Sequence, residues 1–125
     1  MNNLIIHEQK LAFCNVTIFN DYVYVVMNEG ITVLPEYNDI LIGLSDKYLK
    51  GANFVYITHR LNSYSVNPTI YLETSKIENL KAFAVVTTET LESSSIEKLF
   101  FSKPFGIFNE LSAALEWKDK ILYED

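Results

Sequence analysis

The chain has little of what breaks structure and little of what does redox or metal chemistry. Its 125 residues hold four glycines and three prolines, too few and too scattered to mark a linker, so residues 1–125 read as a single domain. The one cysteine, Cys14, excludes a disulfide framework within the chain and suits a reducing cytoplasm. The two histidines, His7 and His59, have no further His or Cys at ligand spacing, so neither a metal nor a cofactor is expected. Cations are scarce. Ten Lys and Arg against sixteen Asp and Glu leave a net charge of −6, with no basic block, which argues against nucleic acid and anionic membrane surfaces as partners. No apolar run approaches the roughly 20 residues that span a bilayer. The start, Met1 to Glu8, lacks the basic residues and long apolar stretch of a signal peptide. A cytoplasmic location is the expectation, and the sequon Asn15-Val16-Thr17 then reads as chance. Glycine-rich phosphate loops are missing too.

What is present is apolar and aromatic: 49% and 14% of residues respectively, enough for a real core. Two β-rich runs, Leu11 to Phe19 and Tyr22 to Met27, are joined by Asn20-Asp21, a hairpin signal. Ala12, Cys14, Val16 and Ile18 share one face of the first run, and Val23, Val25 and Met27 one face of the second. Leu4 to Ile6 is apolar enough to be an extra strand. After Gly30 the period changes. Tyr37, Ile40, Leu41, Leu44 and Tyr48 recur at helical spacing, with Pro35 in the first turn and Gly51 past the end.

Phe54 to Thr58 is a continuously apolar strand, and Asn67-Pro68 starts a helix predicted to run to about Glu78. Ala82 to Val86 is again continuously apolar, while Leu91, Ile96, Leu99 and Phe100 suggest a third helix. Phe105 to Phe108 is the last strand, and Asn109 caps a closing helix with Leu111, Ala114, Leu115, Ile121 and Leu122 on one face. Glu116 and Lys120 form an i,i+4 pair there, with Lys118 and Lys120 at the favourable carboxyl end. The order is β-β-α-β-α-β-α-β-α: an α/β domain whose mixed, mostly parallel sheet has about five strands and four helices.

That order, together with Asn28-Glu29-Gly30-Ile31-Thr32, the stretch from Phe54 to Pro68, and Phe100-Phe101-Ser102-Lys103-Pro104-Phe105 with Phe108, resembles the STAS superfamily. Within it the likeness is to the small SpoIIAA-like group, over nearly the whole chain. The resemblance implies that fold and a regulatory or ligand-binding role without chemistry. One departure stands out. Phosphorylatable anti-sigma antagonists carry an Asp-x-Ser-Gly turn where this chain reads Arg60-Leu61-Asn62-Ser63-Tyr64-Ser65, which puts partner switching by phosphorylation in doubt.

In open parallel sheets ligands bind beyond the carboxyl ends of the strands, which singles out the loop from His59 to Asn67. His59 and Arg60 offer cations, Asn62, Ser63, Ser65 and Asn67 offer amides and hydroxyls, and Tyr64 offers an aromatic plate. Such a set could hold a carboxylate or phosphate. The same residues could instead satisfy a long turn's own backbone, with Arg60 paired to a carboxylate. No catalytic constellation is readable elsewhere; Cys14 reads as a buried, inert thiol, and the Phe100-Phe101, Phe105 and Phe108 cluster as core. The leading expectation is a non-enzymatic cytoplasmic interaction or sensing module. The alternative is a small anionic or apolar ligand, an acyl chain or lipid included, bound at residues 59–67. A homodimer is also expected, because Tyr22, Tyr24 and Val26 line the second face of the hairpin.

Overall fold

A computed structural model describes residues 4–88 and 97–124 of the chain. Strand β1 spans Ile5–Lys10, β2 Cys14–Phe19, β3 Tyr22–Met27, β4 Thr32–Val33, β5 Phe54–His59, β6 Ser65–Val66, β7 Leu80–Val86 and β8 Phe105–Phe108. Helix α1 spans Pro35–Leu49, α2 Ile70–Thr74 and α3 Leu111–Tyr123. The main sheet has the order β1-β2-β3-β5-β7-β8, with β4 and β6 forming a separate pair. β1, β2 and β3 are antiparallel neighbours, and β3, β5, β7 and β8 run parallel. A mixed, mostly parallel α/β sheet is therefore correct.

The strand and helix counts need correction. The sheet has six strands, because Ile5–Lys10 is a full edge strand. Its sequence, Ile-Ile-His-Glu-Gln-Lys, alternates poorly since an edge strand buries little on either face, and its register shifts between Ile5 and His7. Among the described residues there are three helices rather than four. The helix expected over Leu91 to Phe100 falls largely on residues 89–96, outside the described residues. The second helix stops at Thr74 instead of Glu78. There the Thr74 hydroxyl bonds the carbonyl of Ile70 and the Ser75 hydroxyl that of Leu72, side-chain bonds that compete with helix continuation.

Both faces of the central strands β5 and β7 are covered, which explains why these strands are continuously apolar. On one face Cys14, Val16, Ile18, Val23, Val25, Tyr56, Phe83 and Phe105 pack with Leu41 and Leu49 of α1 and Ile70 and Tyr71 of α2. Ala12, expected on the same face, precedes β2 and is exposed. Burial pushes the Cys14 thiol up to about 12, an unreactive state. On the other face Tyr22, Val55, Ile57, Ala82, Ala84 and Val86 pack under Ala114 of α3. Helix α3 lies over β5, β7 and β8, leaving Thr17, Tyr24 and Val26 half-buried at its flank.

The ends of α1 and α3 follow backbone rules more than side-chain caps. Pro35 fits the first turn of α1, and Lys50 closes it in the left-handed region at φ 51°, its N–H bonded to the carbonyl of Asp46. Glu110, not Asn109, stands at the N-cap of α3, without a side-chain cap bond. Lys118 departs furthest from expectation. It is 2% exposed, and its ammonium bonds both Asp21 carboxylate oxygens at 3.1 and 3.0 Å. Tyr123 donates to the same carboxylate at 2.6 Å, which pushes its phenol up to about 12. The closing helix is thus pinned to the hairpin turn.

Gly106 in β8 lies close beneath Trp117 of α3. A Cβ there would meet the Phe108 ring at 2.6 Å and Trp117 at 3.3 Å, and those two rings lie 5.3 Å apart. Gly106→Ala must therefore push the Phe108 ring off its seat. It is expected to lower stability by about 1–3 kcal/mol, read by urea unfolding. A Gly106→Ala protein as stable as the parent would mean that the ring moves aside freely.

Candidate functional site

The loop after β5 leaves the sheet at its carboxyl edge, where the Arg60 N–H donates to the carbonyl of Val86 on β7 at 2.8 Å. From there the chain is tied to the neighbouring loop after β3. Gly30 N–H donates to the Ser63 carbonyl at 2.6 Å, Ser65 N–H to the Ile31 carbonyl at 2.9 Å, and β4 and β6 pair in parallel as Thr32–Ser65 and Val33–Val66. Gly30, at φ 77°, makes the turn that lets the first loop reach the second. Side chains add to the tie: the Asn62 amide donates to the Met27 carbonyl at 2.9 Å, and Glu29 accepts the Ser63 N–H at 3.2 Å. Asn67 accepts from the backbone and hydroxyl of Thr69 at 3.1 and 2.8 Å, an Asx turn that leads into α2.

The seven candidates do not form one cluster. Strand alternation puts His59 on the α3 face, where its Nδ1 lies 2.7 Å from the Tyr24 hydroxyl. Arg60 lies against the side chains of the opposite face. Its Nε donates to the Tyr64 hydroxyl at 3.1 Å, and its Nη2 meets both Glu97 oxygens at 2.5 Å. Tyr71 donates to Glu97 at 3.3 Å, and Thr58 lies 3.3 Å from the Tyr64 hydroxyl. The Tyr64 ring also sits under the guanidinium, 5.6 Å from its carbon. Leu61, Ser63, Ser65 and Asn67 face water.

The electrostatics follow from this burial. Burial would lower Arg60, but the Tyr64 phenol and the Glu97 carboxylate outweigh it and hold the guanidinium charged. Burial pushes the Glu97 carboxyl up, and Arg60 and the Tyr71 hydroxyl pull it only part of the way back. The cation at the carboxyl edge is thus compensated from within. Sequence reading missed Glu97, Tyr71 and Thr58. Glu97 stands 37 residues from Arg60, and nothing in its local pattern, Glu-Lys-Leu-Phe, marks it as buried.

Below Tyr64 lies a cavity of about 30 Å³, lined chiefly by Val33, Tyr56, Thr58, Tyr71 and Thr74, room for a water molecule rather than a metabolite. Among the described residues, no group of three or more His, Cys, Asp or Glu side chains could hold a metal ion. No described helix is long and apolar enough to cross a membrane.

His59 carries a pH signature. Burial lowers its pKa, so the folded state favours the neutral ring, whereas the unfolded chain protonates near about 6.5. Its contribution to stability is full above that value and is lost as pH falls through the window below it. The melting temperature of the parent is expected to fall more between pH 7 and pH 5 than that of His59→Gln. Equal slopes would remove His59 from the acid response.

The fold and this loop cluster define a mixed α/β domain with an internally tied platform at the carboxyl edge of its parallel strands. Comparison with protein-family models, curated proteins and solved structures finds no match.

Proposed function

We propose that the domain is a non-enzymatic cytoplasmic interaction or sensing module of the STAS-like type. Its working surface is the platform made by residues 61–67 and the loop 28–33. The observation that carries this reading is the β4–β6 pairing, which fixes two loops as one surface where α/β sheets usually present their binding residues. Leu61, Ser63 and Ser65 point outward from it, while the charges below are engaged with one another. The opening hairpin followed by parallel strands supports the STAS-like comparison. The missing Asp-x-Ser-Gly turn keeps phosphorylation-driven partner switching out of the proposal.

A photo-crosslinking amino acid at Leu61 tests the reading, with Lys50 at the other end of the sheet as control. Capture of one defined partner from position 61 alone, lost in Ser63→Arg, supports it. Equal labelling from both positions, or turnover of metabolites by the purified protein, overturns it. The second reading, a small anionic or apolar ligand, draws on the cavity under Tyr64, which a ligand could enlarge by displacing that ring. Native mass spectrometry of protein purified without detergent would reveal such a ligand as added mass.

A homodimer belongs to the same proposal, supported by the half-buried Tyr24 and Val26 beside α3. Tyr24→Glu is expected to convert a dimer into a folded monomer by light scattering. A monomeric parent ends that part of the reading.

A further inference from the structure

We propose that the groove between α1 and α2 receives a cationic amphipathic peptide helix. This rests on the interaction-module reading and names the partner's chemistry. The groove has a volume of about 440 Å³, within the roughly 300–1,000 Å³ range of sites that take apolar anchors. On its α1 side Pro35, Asp39 and Ile42 fall on one stripe of the helix, and on its α2 side stand Ile70, Leu72 and Glu73. Leu72 is 49% exposed, an apolar side chain half in water at the lip. Thr69 and Ile70 follow the loop 61–67 after Pro68 alone, so the groove begins where the platform ends.

Charge identifies the occupant. Asp39 and Glu73 face the groove from opposite helices, and no Lys or Arg lines it. Asp46 lies seven residues beyond Asp39 on the same stripe of α1, exposed. Glu73 is paired with Lys76 at 3.2 Å, with both side chains more than 70% exposed, a pair that a competing cation displaces at little cost. Nucleic acid and anionic lipid are repelled by these carboxylates. A helix with apolar residues at i, i+3 or i+4, and i+7, flanked by Lys or Arg, satisfies both floor and rim.

The probe is an acetylated Leu/Lys peptide of about 15 residues, with leucines at that spacing. A scrambled peptide and a Leu/Glu version serve as controls. Titration against isotope-labelled full-length protein, followed by amide shifts and calorimetry, should give saturable binding with shifts confined to residues 35–46 and 69–73. Asp39→Lys with Glu73→Lys, both exposed and outside the core, should weaken binding more than tenfold. Raising salt from about 0.1 to about 0.5 M should also weaken it.

The inference is overturned if the Leu/Lys peptide does not bind, or if the scrambled or Leu/Glu peptide binds as well. It is equally overturned if the shifts fall elsewhere, if the double variant binds unchanged, or if anionic vesicles produce the same shifts. A partner captured from position 61 that ignores Asp39→Lys/Glu73→Lys would leave the interaction module standing and remove this groove from it.

Discussion

Lys118→Met is expected to cost the domain about 3–5 kcal/mol, the scale for breaking a buried ion pair from one side. Asp21 is 6% exposed, so removing the ammonium leaves a carboxylate with Tyr123 as its remaining side-chain donor, and water cannot readily replace what is lost. The ammonium also sits 5.1 Å from the centre of the Tyr22 ring, so part of the loss is packing between α3 and the hairpin. Asp21→Asn combined with Lys118→Met should recover most of the stability, because no buried charge is then left alone. Chemical denaturation of the two single variants and the double variant gives the coupling directly. If Lys118→Met unfolds at the parent's midpoint, the ammonium is solvated in solution and the pin is not structural.

Arg60→Met is the second large effect. It strands Glu97, whose carboxyl burial already pushes up, and it removes the guanidinium that donates to the Tyr64 hydroxyl and lies over its ring. A loss of about 3–5 kcal/mol is expected again, but with a local signature that Lys118→Met lacks. Hydrogen exchange at Gly30 and Ser65, the amides that join the two loops, should accelerate well beyond the change in global stability. Glu97→Gln should do less, since an amide oxygen still accepts from Arg60 and the guanidinium keeps the Tyr64 hydroxyl. If exchange at Gly30 and Ser65 follows global unfolding alone in Arg60→Met, the cluster does not hold the platform.

These two ion pairs also show where sequence reading stops. Val55, Ile57, Ala84 and Val85 announce central strands, because only a strand covered on both faces is apolar at every position. The period switch at Pro35 announces α1 for a similar reason: its buried stripe repeats along the chain. Edge strand β1 and the short pair β4–β6 bury too little to leave such a trace. Lys118 had a sufficient local explanation at the end of a helix, so nothing pointed to its burial. Arg60 was legible as a loop cation that could pair with a carboxylate, but which carboxylate depends on the fold bringing residue 97 to residue 60. The structure sets His59 apart from Arg60 for a simpler reason. Because β5 continues through His59, the two side chains point to opposite faces.

The pin between Asp21 and Lys118 joins residues 97 positions apart, and it therefore bears on how the protein is made. During synthesis the hairpin β2–β3 is available early, yet its turn carries a carboxylate without its cation until residue 118 has left the ribosome. Until then the sheet face that α3 covers, with Val55, Ile57, Ala82 and Ala84 upon it, stays open to other chains. Domains assemble largely as units during translation, and this one closes only with its last helix. A pause in translation between β8 and α3 would thus prolong the state most exposed to chaperones and to aggregation.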